Sequence, residues 1–132
     1  MSAKKSNPRK SSCMRETLRD PLRLDHIKEA SIRLVEFSSR EQFETITEKD
    51  IEYFGIVKLL EIIGEADYKL TNEFKEQHPA TPWRHIVGMR HILVHGYYQI
   101  NSKDVKKTIR EDLPVLLSQV ESYLAEIDTA EQ

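Results

Sequence analysis

Residues 51–70 read IEYFGIVKLLEIIGEADYKL, and this stretch is the strongest indication of how the chain folds. On a helix with 3.6 residues per turn its apolar residues cannot all face one neighbour. They are Ile51, Phe54, Val57, Leu60, Ile62, Ile63 and Ala66. Thr47, with Asp50 three residues later, predicts a capped start, so we expect a helix over about 48–70. This should be the central helix, covered partly by its own chain and partly by something else.

Two glycines interrupt this helix, Gly55 and Gly64. A glycine inside a helix costs about 1 kcal/mol relative to alanine, so it usually has a structural reason. We expect another backbone to approach the helix closely at these positions.

The preceding segment predicts a helix over about 21–38. Asp20 is a candidate N-cap, and Pro21 suits the first helical position because its missing N–H costs nothing there. Apolar residues recur at three- and four-residue spacing along one face, namely Leu24, Ile27, Ala30, Leu34 and Phe37. Ser39 with Gln42 resembles a short capping box, which predicts a helical turn over 40–46.

Two further helices follow the central one. Thr71 begins a short helix that must end near His78, because Pro79 restricts the residue before it. Thr81 and Pro82 repeat the cap-then-proline start, and Gly96 can end this helix in the left-handed conformation. Trp83, beside this start, is interpreted as a packing residue.

The last segment predicts a helix that is capped by Asn101 with Asp104 and interrupted near Asp112 by Pro114. Its apolar residues step by three or four positions; they are Val105, Ile109, Leu113, Leu116, Val120, Tyr123 and Ile127. The expected fold class is therefore all-α, an antiparallel bundle of four main helices plus short connecting helices.

The amino-acid composition limits the classes of protein to which the chain can belong. The chain has 132 residues, of which 39% are hydrophobic and 32% are charged, as in one globular domain. No apolar stretch approaches the roughly 20 residues needed to cross a bilayer. The first 13 residues lack the apolar middle of a secretory signal, so we expect a cytoplasmic protein. Its single cysteine, Cys13, excludes an internal disulfide and a thiolate metal cluster.

Charge is distributed unevenly. Residues 1–19 carry six basic side chains against one acidic side chain, a net charge of +5, so the total of −2 leaves −7 for residues 20–132. We expect residues 1–15 to form a flexible basic tail and residues 16–132 to form a single helical domain. The tail could attract RNA phosphates without specificity or could have no role. Any nucleic-acid contact in the acidic folded part must come from a local patch.

Candidate chemistry is concentrated in residues 89–98, which read MRHILVHGYY. Arg90 interrupts an apolar helix face, and a desolvated guanidinium needs an anion. The plain interpretation is a structural ion pair with Glu61 or Glu65, which interrupt the central helix in a similar way. The alternative is that Arg90 binds an anionic substrate.

His95 follows Arg90 by five positions, which on a helix is about 7.5 Å of rise and about 140° of rotation. Either the helix frays near Gly96, or the two side chains converge on a groove at the helix edge. Histidine exchanges a proton near neutral pH, and the arginine fork matches phosphate oxygens. Together they suit transfer at an RNA phosphodiester without a metal, with His95 moving the proton and Arg90 stabilising charge in the transition state.

His91 and His95 share a helical face and could hold a metal ion. A third ligand at helical spacing is absent from the sequence, so we predict neither a metal site nor a cofactor.

At these residues the chain resembles a known family. The stretch 59–101, LLEIIGEADYKLTNEFKEQHPATPWRHIVGMRHILVHGYYQIN, and the later IREDLP at 109–114 closely resemble the HepT-like toxins of the HEPN superfamily. The resemblance extends from about Asp20 to Leu124. The family pattern of Arg, four residues, His, one residue and Tyr falls on Arg90, His95 and Tyr97.

The resemblance implies an all-α, HEPN-like, homodimeric RNA endonuclease that needs no metal, with Arg90 and His95 as the catalytic pair. It implies a place in a prokaryotic toxin–antitoxin pair, with an MNT-type minimal nucleotidyltransferase as the antitoxin. That partner would transfer AMP to the hydroxyl of Tyr97 and so block the nuclease, with Tyr98 a less suitable acceptor. The motif helices of two copies would face each other across a shared cleft.

The sequence leaves the roles of two residues, His91 and Glu65, open. The family commonly has asparagine after the arginine, whereas this chain has His91, which could support the pair or alter its pH dependence. Glu65 could orient Arg90 or His95, or could form an ion pair at the dimer interface. An alternative function is a catalytically silent helical subunit that binds the nucleotidyltransferase and presents Tyr97.

Overall fold

The computed structural model describes residues 17–96 and 100–131, and every regular element within them is helical. In chain order these are α1 (Asp20–Ser38), a 3-10 helix (Glu41–Thr45), α2 (Ile51–Lys69), α3 (Asn72–Gln77), α4 (Trp83–His95), α5 (Ser102–Lys107), a π-helical segment (Thr108–Asp112) and α6 (Leu113–Glu131). The long helices are α1, α2, α4 and α6, so the predicted all-α fold with four main helices is confirmed. The tail predicted over residues 1–15 lies outside the described residues.

The four long helices pack in the order α4, α2, α1, α6, since α1 contacts both α2 and α6 and α2 contacts α4. The predicted apolar face of α1 forms the centre of the core. The completely buried apolar side chains are Phe43, Leu24, Ile27, Leu34, Leu60, Ile63, Ile109 and Val120. Burying a side chain of this size contributes about 1.5–3 kcal/mol, so this layer is the main source of stability.

Helix α2 buries one face and leaves apolar surface on another. Leu60 and Ile63 are completely covered, whereas Ile51 is 82% exposed, Phe54 is 59% exposed and Ile62 is 37% exposed. The part of the chain that the structure describes therefore covers only part of the apolar surface that the sequence places on this helix. No helix in the described ranges has both the length and the apolar character that spanning a membrane requires.

The predicted starts around α2 are wrong in detail. Ser39 donates its hydroxyl back to the carbonyl oxygen of Glu36 at 2.7 Å and does not cap the 3-10 helix. The carboxylate of Asp50 accepts the backbone N–H of Thr47 at 2.8 Å, which closes a turn. Because that turn occupies residues 48–50, α2 begins at Ile51, later than expected.

Asp20 is not the N-cap of α1, contrary to the prediction. It is the first residue of the helix and is 2% exposed. Its carboxylate accepts the backbone N–H of Thr71 at 3.0 Å and the Thr71 hydroxyl hydrogen at 2.7 Å. The Thr71 hydroxyl oxygen in turn accepts the N–H of Phe74, which confirms the predicted cap of α3. Asp20 thus joins the starts of two helices that are distant in sequence.

Thr81 is likewise used for a tertiary contact and not as a cap of α4. It is 2% exposed, and its hydroxyl lies 2.8 Å from Oε1 of Gln119 and 2.6 Å from the hydroxyl of Tyr123, both on α6. Trp83 is buried, as predicted for a packing residue, and donates its indole N–H to the carbonyl oxygen of His78. The two Thr81 contacts hold the beginning of α4 against α6.

The ends of the last two long helices follow the sequence more closely. Helix α4 ends at His95 with Gly96 as its C-cap, as predicted, but Gly96 has a φ of −131°, so it is not left-handed. Asn101 caps α5 by accepting the N–H of Asp104. The predicted interruption before Pro114 is a π-helical segment in which Leu113 donates to the carbonyl of Thr108. The wider turn accommodates a proline ring that would otherwise clash with the preceding turn.

The expected close approach of another backbone is present at Gly64 and absent at Gly55. A Cβ added at Gly64 would lie 2.3 Å from Cβ of Arg90 and 3.1 Å from its Cα. A Cβ at Gly55 would meet nothing within 4 Å. Gly64 is therefore the position where α4 is seated on α2.

Asp67 is a carboxylate on α2, one turn after Ile63, and its side chain is completely covered. Burial raises its pKa to about 6, against the opposing effect of Lys75, whose ammonium lies 3.3 Å away. Lys75 belongs to α3, so this ion pair connects α3 to the central helix.

We predict that Gly64→Ala lowers the free energy of unfolding by about 2 kcal/mol, because the added methyl group would overlap Arg90. The matched control is Gly55→Ala in the same helix, which should raise the free energy of unfolding by up to about 1 kcal/mol through helix propensity. Urea unfolding followed by circular dichroism measures both. Equal effects of the two substitutions would contradict the seating of α4 at Gly64.

Candidate active site

Arg90 lies on α4 and is held by two side chains of α2. Its Nε donates to Oε2 of Glu65 at 2.6 Å, and its Cζ lies 5.1 Å from the centroid of the Tyr68 ring. The ion pair that the sequence assigned to Glu61 or Glu65 is thus formed with Glu65. Within the described residues the two Nη groups of Arg90 make no hydrogen bond. The outer edge of the guanidinium therefore keeps its donors for another partner.

The ion pair between Arg90 and Glu65 orients the Arg90 side chain more than it stabilises the fold. The Arg90 side chain is 26% exposed and the Glu65 side chain 42%, and ion pairs with this exposure typically contribute about 0–1 kcal/mol. Glu65 also lies 3.7 Å from the ammonium group of Lys69, one turn along α2. A bond through Nε fixes the plane of the guanidinium, which determines where its free edge is directed.

His95 and His91 form a second pair at the end of α4. Both side chains are exposed, and their ring centroids are 4.9 Å apart. This is the shared face expected for residues four positions apart on a helix. Among the residues that the structure describes, no group of three or more potential ligands is arranged to hold a metal ion.

Arg90 and His95 have different surroundings within a single chain. Arg90 lines a cavity of about 280 Å³ between α1, α2 and α4, and His95 is not among the residues that line it. The reason is the rotation between positions five apart on a regular helix, which directs Arg90 toward α2 and leaves His95 beside His91. Tyr97 lies outside the described residues, so its role stays a prediction.

Most of the residues that surround Arg90 in the cavity were not predicted from the sequence. Besides Glu65 and Arg90, four basic residues line the cavity. Arg23 and His26 belong to α1, and Lys58 and Lys69 belong to α2. A signal was present, because residues 58, 61, 65 and 69 recur at three- and four-residue spacing and are all charged. What the sequence could not show is that α1 contributes Arg23 to the same place.

Comparison with known proteins identifies the family. The family described as "Ribonuclease HepT-like" matches residues 27–123. A protein of Thermococcus cleftensis named "Probable ribonuclease HepT" is 37% identical over 98 residues, covering 74% of this chain and 89% of that protein. A protein of Methanocaldococcus jannaschii named "Putative RNase MJ1380" is 38% identical over 96 residues, covering 72% of this chain and 87% of that protein. No solved structure matches the chain significantly.

The chain therefore belongs to the Ribonuclease HepT-like family. The resemblance seen in the sequence is confirmed, as is the expectation of a ribonuclease at the level of the family. The family match covers α2 and α4 completely, and so includes Arg90, Glu65 and His95.

Proposed function

We propose that this chain is the toxin of a prokaryotic HEPN/MNT toxin–antitoxin pair and cleaves RNA without a metal ion, with Arg90 and His95 as its catalytic residues. The observation that carries the proposal is the guanidinium of Arg90, which Glu65 holds through Nε while both Nη groups keep their donors. Such an edge matches two oxygens of one phosphate. Membership in the Ribonuclease HepT-like family supports RNA as the substrate.

The proposed reaction is a transfer within the RNA strand. The ribose 2′-oxygen attacks the adjacent phosphorus while the bond from phosphorus to the 5′-oxygen of the next nucleotide breaks. The products are a 2′,3′-cyclic phosphate and a free 5′-hydroxyl. His95 either takes the proton of the 2′-hydroxyl or supplies one to the leaving 5′-oxygen, and Arg90 stabilises the charge on the phosphoryl oxygens in the transition state.

His91 has a supporting role in this proposal. Its ring lies beside that of His95, so it can restrict the orientation of the catalytic imidazole. Glu65 acts on Arg90 in the same sense, as a positioning residue within one chain. This favours the orienting role of Glu65 over an ion pair between two subunits.

A homodimer would complete the site. Positions 90 and 95 are about 140° apart around the regular helix α4, and in the proposed site a second copy brings the two groups to one phosphate. The apolar surface left on α2 and α4 supports such a seam, since Phe54, Ile92 and Val94 are each more than 40% exposed. We propose that the α4 helices of two copies face each other there.

We predict that the protein cleaves RNA in EDTA and leaves 2′,3′-cyclic phosphate ends. His95→Ala should lower the cleavage rate by about 10²- to 10⁴-fold, and Arg90→Ala by about 10²- to 10³-fold, because each removes one contribution to the transition state. The matched controls are His85→Ala and Arg84→Ala, exposed residues of the same helix that should retain activity. Gel analysis of labelled RNA measures the rates, and unchanged cleavage in both site variants would remove these residues from the mechanism.

We also propose that an MNT-type nucleotidyltransferase neutralises the toxin by transferring AMP to the hydroxyl of Tyr97. This rests on the position of Tyr97 in the family pattern, two residues after His95. The alternative function, a silent subunit that only presents Tyr97 to that partner, is compatible with the same modification.

Expression with and without the nucleotidyltransferase tests this second proposal. We expect mass spectrometry to find AMP on Tyr97 after co-expression, and Tyr97→Phe to remain unmodified while Tyr98→Phe is still modified. The unmodified chain expressed alone should arrest growth, and the modified chain should not. Modification without growth arrest by the unmodified chain would favour the silent subunit, and AMP on another residue would contradict the role of Tyr97.

A further inference from the structure

We infer that the cavity between α1, α2 and α4 binds a backbone phosphate of the RNA next to the phosphate at Arg90, with Arg23 and Lys58 as its main contacts. This inference rests on the proposed function and extends it by assigning a substrate-binding subsite. The cavity has a volume of about 280 Å³, and Arg90 forms part of its wall.

The cavity is a local cationic patch in an acidic domain. Residues 20–132 carry a net charge of −7, yet four permanently charged cations and two carboxylates line the cavity, a net charge of +2. These residues are Arg23, Lys58, Lys69, Arg90, Glu61 and Glu65. An acidic domain needs a local cationic patch of this kind in order to contact nucleic acid.

The carboxylates do not balance this charge. Glu65 is already engaged by two cations, since Arg90 donates to it at 2.6 Å and Lys69 lies 3.7 Å away. Glu61 is then the one other carboxylate in the lining, against the two cations Arg23 and Lys58. The cavity wall therefore has more cationic hydrogen-bond donors than its carboxylates engage. The remaining donors suit the oxygens of a phosphate group.

Arg23 supplies an independent indication of a ligand. Its Nε is buried and has no hydrogen-bond partner among the described residues. A buried donor without a partner costs about 1–3 kcal/mol, so proteins rarely keep one unless something else satisfies it. Lys58 also lines the cavity, is exposed and makes no ion pair within the described ranges, so it is available as well.

The position of the cavity favours an RNA strand over an isolated anion. Because Arg90 belongs to both the cavity wall and the catalytic pair, a strand with its reacting phosphate at Arg90 places a neighbouring phosphate over the cavity. Contacts of this kind position the substrate and are independent of base identity. They should contribute to binding in a salt-dependent way.

Binding of single-stranded RNA, followed by fluorescence anisotropy, tests the inference. All variants carry His95→Ala so that the RNA stays intact. We expect Arg23→Gln/Lys58→Gln to weaken binding about tenfold and to reduce the slope of log K against log salt by about 0.7, because one phosphate contact is lost. Lys28→Gln/Arg84→Gln removes the same charge from α1 and α4 outside the cavity and should change affinity by no more than about twofold.

Equal weakening in the two double variants would overturn the inference, because it would show only a general effect of charge. Displacement of the RNA by AMP in the parent protein but not in Arg23→Gln/Lys58→Gln would also overturn it, since the cavity would then be a mononucleotide site. Thermal unfolding checks that each variant folds, and Lys58→Gln alone, an exposed position, keeps the test decisive if Arg23→Gln does not fold. With His95 restored, the loss in cleavage should fall mainly on KM.

The outcomes separate this inference from the proposed function. If the wild-type chain fails to cleave RNA but the binding difference between the two double variants is present, the subsite stands and the nuclease proposal fails. If the wild-type chain cleaves RNA but the two double variants bind it equally, the nuclease proposal stands and the subsite is wrong.

Discussion

The contact between α2 and α4 at Gly64 is the constraint on which the site depends. Cβ and Cα of Arg90 occupy the space that a side chain at Gly64 would need, so α4 is seated directly on the central helix. Glu65 is the next residue along α2, and Tyr68 follows one turn later. The close approach requires glycine, a poor helix former, at position 64 of α2. It also brings Arg90 within reach of Glu65 and Tyr68.

Periodicity in the sequence was sufficient to predict the helices, because each long helix buries one stripe of apolar residues. Predicted caps were less successful. Asp20 and Thr81 have the residue types of N-caps, but the fold uses Asp20 to bind Thr71 and Thr81 to bind Gln119 and Tyr123. A capping pattern is local, whereas these bonds join segments that only the complete fold brings together. Asn101 and Thr71 act as predicted because their partners lie three residues away.

In the candidate site, too, local features could be predicted from the sequence and contacts between distant segments could not. An isolated guanidinium on an apolar face predicts an acidic partner, and the sequence offered two, of which the structure selects Glu65. The face that Arg90 shares with Arg23 could not be predicted, because it depends on how α1 lies against α2. The sequence also permitted Arg90 and His95 to meet at one helix edge. Helix α4 is regular through His95, so the two positions keep the rotation of about 140° between them, and the proposed mechanism assigns a second copy of the chain to the site.

The most direct test of this account is the rate of RNA cleavage by Glu65→Gln compared with Glu61→Gln, both measured in EDTA at saturating RNA. We expect Glu65→Gln to lower kcat by about tenfold, because a charge-assisted bond no longer fixes the Arg90 guanidinium. Glu61→Gln removes the same charge from the same cavity and should keep kcat within about twofold, with both variants unfolding at the wild-type temperature. Equal rates for the two variants would contradict the claim that Glu65 positions Arg90 for catalysis.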